Sequence, residues 1–241
     1  MLISCTNKNS LDLEKKLDNF QQEKEYNLAV TKLYQQNYFE ASEIFEEVFL
    51  YGKNSTLSSN AQIMQAYSLF LDKKFEEAED VLDNCILIDP KSQYLDYIYY
   101  LQGICLQSLV TGTLFDLSYA SKAKIKFIKI ITDFPNSIYK ESSKLRIKLI
   151  EELLAEKEIL IGIYYLKHLN PIAALKRFKN AYEKFTHTSR HEESIYRMIE
   201  CFLCLGLKEE AKMYFIILQS KYSGGFWYQN AQKILKEENL I

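Results

Sequence analysis

A small residue followed four positions later by a bulky apolar one recurs five times along this chain, as Ala41/Phe45, Ala78/Leu82, Ala123/Phe127, Ala174/Phe178 and Ala211/Phe215. Residues four apart stand one above the other on a helix, so each pair marks a buried stripe. Twelve residues upstream of four of these alanines lies a partner position: Ala29, Ala66, Gly162 and, less well matched, Ile199. The turns between share one grammar, QQNYFEA, DKKFEEA, LNPIAA and LGLKEEA. The clearest copy runs from Glu156 to Phe185. Its first helix carries Ile159, Gly162 and Tyr165, and its second carries Ala174, Phe178 and Ala181. Gly162 and Ala174 let two backbones approach while Tyr165 and Phe178 fill the space around them. Pro171 opens the second helix, where a missing N–H costs nothing.

A hairpin of about 34 residues repeated in tandem has the size of a tetratricopeptide unit. The predicted fold class is therefore all-α, an α-solenoid of five tetratricopeptide-like helical hairpins with a C-terminal capping helix. The first unit spans Gln22 to Ser55. The second runs from Ser59 to Asp89-Pro90, where proline stops the helix. The third starts at Lys91 and is irregular: its small position, Gly103, lies twenty residues before Ala123, and the extra eight predict an enlarged loop around Val110–Asp116. It closes at Phe134-Pro135-Asn136-Ser137.

No breaker follows until the fourth turn, which predicts one long helix across Ser137–His168. Leu145, Leu149 and Leu153 form its apolar stripe, and Lys140, Glu141, Lys144, Lys148, Glu151 and Glu152 face water. The fifth unit, Glu192 to Tyr222, ends at Gly224-Gly225. A last helix, Phe226–Glu238, caps the array with Trp227, Ala231 and Leu235. Residues 1–24 read as a polar tether carrying the N-terminus, and 25–241 as a single repeat domain.

Composition excludes several functions. A formal net charge of −2 gives no basic footprint for nucleic acid. No apolar run reaches the roughly 18 residues of a membrane-spanning helix. Cys201 and Cys204 form a C-x-x-C, but within the helical pattern IYRMIECFLCLG and with no second pair. Structural zinc needs four ligands, and His168, His187 and His191 lie elsewhere, so the cysteines read as core residues and no metal is expected. Five irregularly spaced cysteines make no disulfide framework. There is no Gly-rich phosphate loop, no G-x-S-x-G, and no His set beside a Cys or Ser with a third orienting group. Glu46-Glu47 and Glu192-Glu193 are neighbours that diverge on a helix. A non-enzyme without cofactors is expected.

A solenoid offers instead a concave surface lined by the first helices of successive hairpins. Tyr67 of the second unit and Tyr97 and Tyr100 of the third are candidate groove residues for an extended peptide, because a tyrosine buries apolar area and still bonds a backbone carbonyl. Packing of hairpin against hairpin is the competing role for the same rings. At the N-terminus, Leu2-Ile3-Ser4-Cys5 fits a bacterial lipobox, although the four preceding residues hold neither a basic region nor an apolar one. Taken alone, the motif leaves two readings open, an acylated Cys5 and a chance LISC in a polar tail.

Specific segments narrow this further. Asp89-Pro90 followed by Tyr94-Leu95-Asp96-Tyr97-Ile98-Tyr99-Tyr100-Leu101-Gln102-Gly103 is similar to the D-Y-A-x-Y-x-x-G segment in the third repeat of the BamD (ComL) family, the five-repeat lipoproteins of the outer-membrane β-barrel assembly machinery. Asp116, Ala123, Phe127 and Phe134-Pro135-Asn136-Ser137-x-Tyr139 resemble that family's A-x-x-x-F…YPxS-x-Y pattern. Ala155-x-x-Glu158, Tyr164-Tyr165 and Ala173-Ala174-x-x-Arg177 resemble its A-x-x-E…YY…A-x-x-R pattern. The likeness covers Glu25 to Tyr228 in order. It departs at Leu87–Ser92, shorter than the family's turn, and at Phe185–Thr188, which lacks the family's proline.

The resemblance implies a non-catalytic assembly factor at the periplasmic face of the outer membrane, with a lipid on Cys5. It implies that the N-terminal half receives unfolded outer-membrane proteins through their C-terminal aromatic segments. The C-terminal half would dock on a POTRA domain of the barrel subunit, with Arg177 at a docking position. A solvated Arg177 on a basic face with Lys176 and Lys179 is the other reading of that residue. A general tetratricopeptide adaptor with no part in barrel assembly is the other reading of the whole.

Overall fold

The computed structural model describes residues 20–52, 56–110 and 117–241, and among them there are eleven helices and no strand. Helix α1 covers 20–34, followed by α2 (Tyr38–Tyr51), α3 (Thr56–Leu71), α4 (Phe75–Ile88), α5 (Leu95–Ser108) and α6 (Ser118–Asp133). Then come α7 (Lys140–Lys167), α8 (Pro171–Lys184), α9 (Arg190–Cys204), α10 (Lys208–Tyr222) and α11 (Phe226–Glu237). They pair as five hairpins and a closing helix, which is the α-solenoid class. The enlarged third loop falls mostly on residues 111–116, outside the described ones; its flanks are the end of α5 and the start of α6.

The repeat grammar is a packing grammar. All five first alanines are fully buried, as are Phe45, Leu82, Phe127 and Phe178, with Phe215 at 6 % exposure. Gly103 and Gly162 show why the partner position is small. A methyl group built on Gly103 would lie 2.6 Å from the Phe127 ring, and one on Gly162 would run into the Phe178 ring. Each of these two rings lies against the backbone of the first helix in its own hairpin.

The turns repeat as closely. Gln36, Lys73, Leu169 and Gly206 all adopt a left-handed backbone, with φ of 64°, 63°, 58° and 73°. Each stands five residues before its hairpin's alanine. The next amide reaches back to the helix end: Asn37 N to Lys32 O, Lys74 N to Leu69 O, Asn170 N to Tyr165 O and Leu207 N to Phe202 O, at 2.9–3.0 Å. This is the Schellman closure, which satisfies the last carbonyls of the outgoing helix. Asn170 then caps α8, its side chain accepting from Ala173 N at 3.1 Å.

The chain packs as two compact units, with the division inside α7 after Lys144. In unit 1, α1, α2 and α3 close around Ala29, Ala41, Phe45, Val48 and Ala61, and α3, α4 and α5 around Ala66, Leu82, Ile98 and Cys105. In unit 2, α7 to α11 share one core that includes Phe178, Ile195, Met198, Phe215 and Leu235. The predicted stripe on the long helix is corrected here. Leu145 and Leu149 are 60 % and 55 % exposed and Leu153 is half-buried, while the buried positions of α7 in unit 2 are Ile150, Ala155, Ile159 and Gly162. Two of those are small, and at Gly162 the Phe178 ring takes the space, so the leucines mark the wrong face. Glu152, expected to be solvated, accepts from Ser189 N and Ser189 Oγ, both at 2.8 Å, ahead of α9.

The end of unit 2 is held by polar contacts the sequence did not suggest. Glu192 Oε1 accepts from Trp227 N and Tyr228 N at 3.1 Å and so caps α11. Glu193, nearly buried, lies between Arg190 and Arg197, and the Arg197 guanidinium sits 5.0 Å from the Trp227 ring. Cys201 is buried, its thiol pushed up to about 12 by burial, and Cys204 is exposed.

His191 is 2 % exposed, stacked 5.0 Å from Tyr182 with Nδ1 2.7 Å from Tyr222 Oη. Burial first, then Lys221, holds its imidazole below the ordinary histidine range. A depressed histidine is neutral in both states above the unfolded value near 6.5. As pH falls below that value the unfolded chain takes up the proton first, so stability is lost until the folded imidazole titrates. Urea unfolding between pH 7 and 5.5 should therefore show a steeper loss for wild type than for His191→Phe. Parallel pH profiles would show that His191 is not the group responsible.

Candidate functional site

In unit 1 the sequence places tyrosines where helices begin, and the fold draws them together. Tyr94 precedes α5, its amide donating to Ser92 Oγ at 3.3 Å. Asp96, in the first turn, accepts from Tyr97 N at 2.8 Å through Oδ1 and from Ser137 Oγ at 2.7 Å through Oδ2. Ser137 Oγ accepts in turn from Tyr139 N at 3.1 Å. One aspartate thus ties the start of α5 to the Phe134–Ser137 turn, about forty residues away in sequence, and sets Tyr139 against Tyr97 with ring centroids 5.7 Å apart.

Two clefts adjoin there. The larger, about 480 Å³, is lined by Tyr94, Asp96, Tyr97, Asn136, Ser137, Ile138 and Tyr139. The smaller, about 250 Å³, is lined by Tyr26, Asn60, Ile63, Met64, Tyr94 and Tyr97. Tyr94 and Tyr97 belong to both. Burial, then the neighbouring Tyr67 and Tyr139, drives the Tyr97 hydroxyl well above the usual phenol range. Burial raises Tyr139, with a further contribution from Asp96, and burial raises Tyr26, with a contribution from Tyr94. These hydroxyls stay protonated donors among the rings that line the clefts.

Of the three tyrosines singled out from sequence, Tyr97 lines both clefts. Tyr100 lines neither. Its ring stacks on Tyr139 at 4.6 Å, packs edge-on to Phe127 at 6.0 Å, and its hydroxyl pairs with Ser142 Oγ at 2.7 Å. Tyr67 also lines neither; it is half-buried against the core of α3–α5 with its ring 6.4 Å from Phe70. Tyr94, Asp96 and Tyr139 were within the segments that carried the family resemblance, but nothing in their spacing announced a shared cavity. Tyr26 gave no signal at all.

In unit 2, Arg177 on α8 reaches back to α7, with Nη1 3.5 Å from Glu158 Oε1. Asn180 Nδ2 lies 3.4 Å from the other oxygen of Glu158. The arginine side chain is 37 % exposed and the glutamate 18 %. Ala155-x-x-Glu158 and Ala174-x-x-Arg177 are thus the two halves of one interhelical contact. Among the described residues no cluster of three or more His, Cys, Asp or Glu could hold a metal ion, and no helix is long and apolar enough to cross a membrane. Cys5 lies outside the described residues.

Paired helices, four of the pairs closed by matching turns, with an aromatic recess where first helices meet, define a helical-repeat protein of the tetratricopeptide type. The chain belongs to the YfiO family of outer membrane lipoproteins, whose pattern matches residues 18–215. It is 36% identical over 211 residues to the outer membrane protein assembly factor BamD of Rickettsia prowazekii, covering 88% of this chain and 84% of that one. It is 29% identical over 215 residues to the protein of the same name in Caulobacter vibrioides, covering 89% and 70%. The solved TPR2AB domain–pHSP90 complex of yeast Sti1 overlaps at a TM-score of 0.44 and 14% identity, over 92% of this chain and 86% of that one.

Proposed function

We propose that this chain is a non-catalytic assembly factor for outer-membrane proteins. In this reading it is held at the periplasmic face of the outer membrane by a lipid on Cys5. Unit 1 receives unfolded outer-membrane proteins through their C-terminal aromatic segments, in the cleft around Tyr97. Unit 2 docks on the POTRA region of the barrel subunit, with Arg177 at the contact. The observation that carries it is the convergence at one cleft of the two segments that resemble the family, Tyr94–Tyr97 and Asn136–Tyr139. Relatives named as outer membrane protein assembly factors supply the process.

The test is a pull-down of a purified POTRA array by the wild-type chain. Capture is expected, and no capture at all overturns the assembly reading. The lipid is tested separately. Firm residence on a bilayer takes two or more acyl chains, which an N-acylated diacylglyceryl cysteine provides. Cys5→Ala should move the protein from the membrane fraction to the soluble one while its circular dichroism stays helical. Retention of the variant after a salt wash would mean that something other than a lipid on Cys5 holds it.

A further inference from the structure

The two adjoining clefts carry a distinctive charge pattern. Among the described residues no Lys, Arg or His lines either one, and Asp96 is the one acid that does. Resting on the reading that this cleft receives client segments, we propose that it recognises an aromatic side chain together with a neighbouring Lys or Arg of the client, and not the client's terminal carboxylate.

A terminal carboxylate taken into a protein recess is held best by cations, which offset its charge as well as donating to it. The side chains here offer hydroxyls, amides, rings and one anion. The field of Asp96 is felt within the cleft, since it helps hold the Tyr139 hydroxyl above its ordinary range. A second carboxylate brought beside Asp96 is repelled by the same field. A cationic side chain meets the opposite situation. Each Asp96 oxygen accepts one hydrogen bond from the protein, from Tyr97 N or Ser137 Oγ. A carboxylate oxygen has room for a second donor, so an ammonium or guanidinium group can bond it without displacing either.

The rest of the cleft fits an aromatic residue. The larger recess, at about 480 Å³, takes a ring and the backbone on either side of it, between Tyr94, Tyr97 and Tyr139. The smaller, at about 250 Å³ and lined by Ile63 and Met64, suits an aliphatic side chain further along the same extended segment. Ile138, 84 % exposed on the rim, gives the segment apolar area to cover as it crosses.

The experiment uses fluorescence anisotropy with the full chain and labelled decapeptides of alternating aromatic and small residues. One pair ends in a free carboxylate or in an amide. A second pair, both amidated, carries Lys or Glu beside the central aromatic residue. The acid and amide should bind within about twofold of each other. The Lys peptide should bind about tenfold more tightly than the Glu peptide, a difference of about 1.4 kcal/mol, and the gap should narrow as salt is raised. Asp96→Asn, which keeps the shape of the side chain, should abolish the gap. Ile138→Lys, at an exposed position, sets a positive charge against that of Asp96 and should likewise close most of the gap.

A free carboxylate that improves binding tenfold overturns the proposal, and so does equal binding of Lys and Glu peptides by wild type. Either result leaves the cleft as a client site if Tyr97→Ala weakens every peptide. No binding of any peptide, or binding indifferent to Tyr97→Ala, overturns the client-site reading itself and the proposal with it.

Discussion

Phe178→Ala should lower the stability of unit 2 by about 3–5 kcal/mol, the usual cost of truncating a fully buried phenylalanine. Phe178 has no exposed surface, and its ring lies against the backbone of α7 at Gly162, among Ile159, Ala174 and Ile195. Little can collapse into the space it leaves, because the contact surface on α7 is main chain. Set against a total folding free energy of about 5–15 kcal/mol for a domain, the change should be plain in the urea midpoint followed by circular dichroism. A loss under about 1 kcal/mol would mean that the ring is not where the structure places it. The reciprocal change sharpens the test. Gly162→Ala drives a methyl group into the same ring and should cost about 1–3 kcal/mol by overpacking. In the double variant that methyl group occupies part of the cavity, so the two costs should fall short of their sum. Full additivity, expected only for sites with no shared partner, would contradict the contact.

The same pair explains what could be read in advance. Alanine at one position and a bulky apolar residue four residues on recur because that residue packs on the first helix of its own hairpin, and at Gly103 and Gly162 it is a ring against bare backbone. A glycine in an otherwise helical pattern therefore pointed to packing, at Gly103 as at Gly162. The turns were legible in length but not in conformation. Of the four left-handed positions only Gly206 is a glycine, and Gln36, Lys73 and Leu169 take that backbone because the Schellman bonds close over them. The face of α7 was misread because its buried positions are partly small residues and its outer face carries leucines.

The cleft was half legible. Tyr97 stood out as a ring in a first helix, but Tyr100, three residues on, is taken up by Tyr139 and Ser142. The difference depends on how the Phe134–Ser137 turn is tied down by Asp96, a contact across about forty residues that no local period encodes.

Arg177→Glu should weaken capture of a POTRA array at least about 30-fold while leaving the fold nearly unchanged. Loss of a charged partner at the buried part of an interface typically costs about 2–5 kcal/mol, and every 1.4 kcal/mol is a factor of about ten. The internal contact with Glu158 sets the control. That pair is partly exposed and one of its distances is long, at 3.5 Å. Exposed pairs of this kind contribute about 1 kcal/mol or less, so thermal unfolding should shift by only a few degrees. Glu158 has a second role in this arrangement, since it holds the guanidinium against α7 while the remainder stays open to solvent. Glu158→Gln keeps the positive charge but relaxes its position, and should weaken capture by much less than Arg177→Glu. If wild type and Arg177→Glu capture the array equally, Arg177 is a surface residue serving its own hairpin and takes no part in the proposed docking. If Glu158→Gln is as damaging as Arg177→Glu, the carboxylate itself meets the partner, and the pair would have to be read as a joint contact.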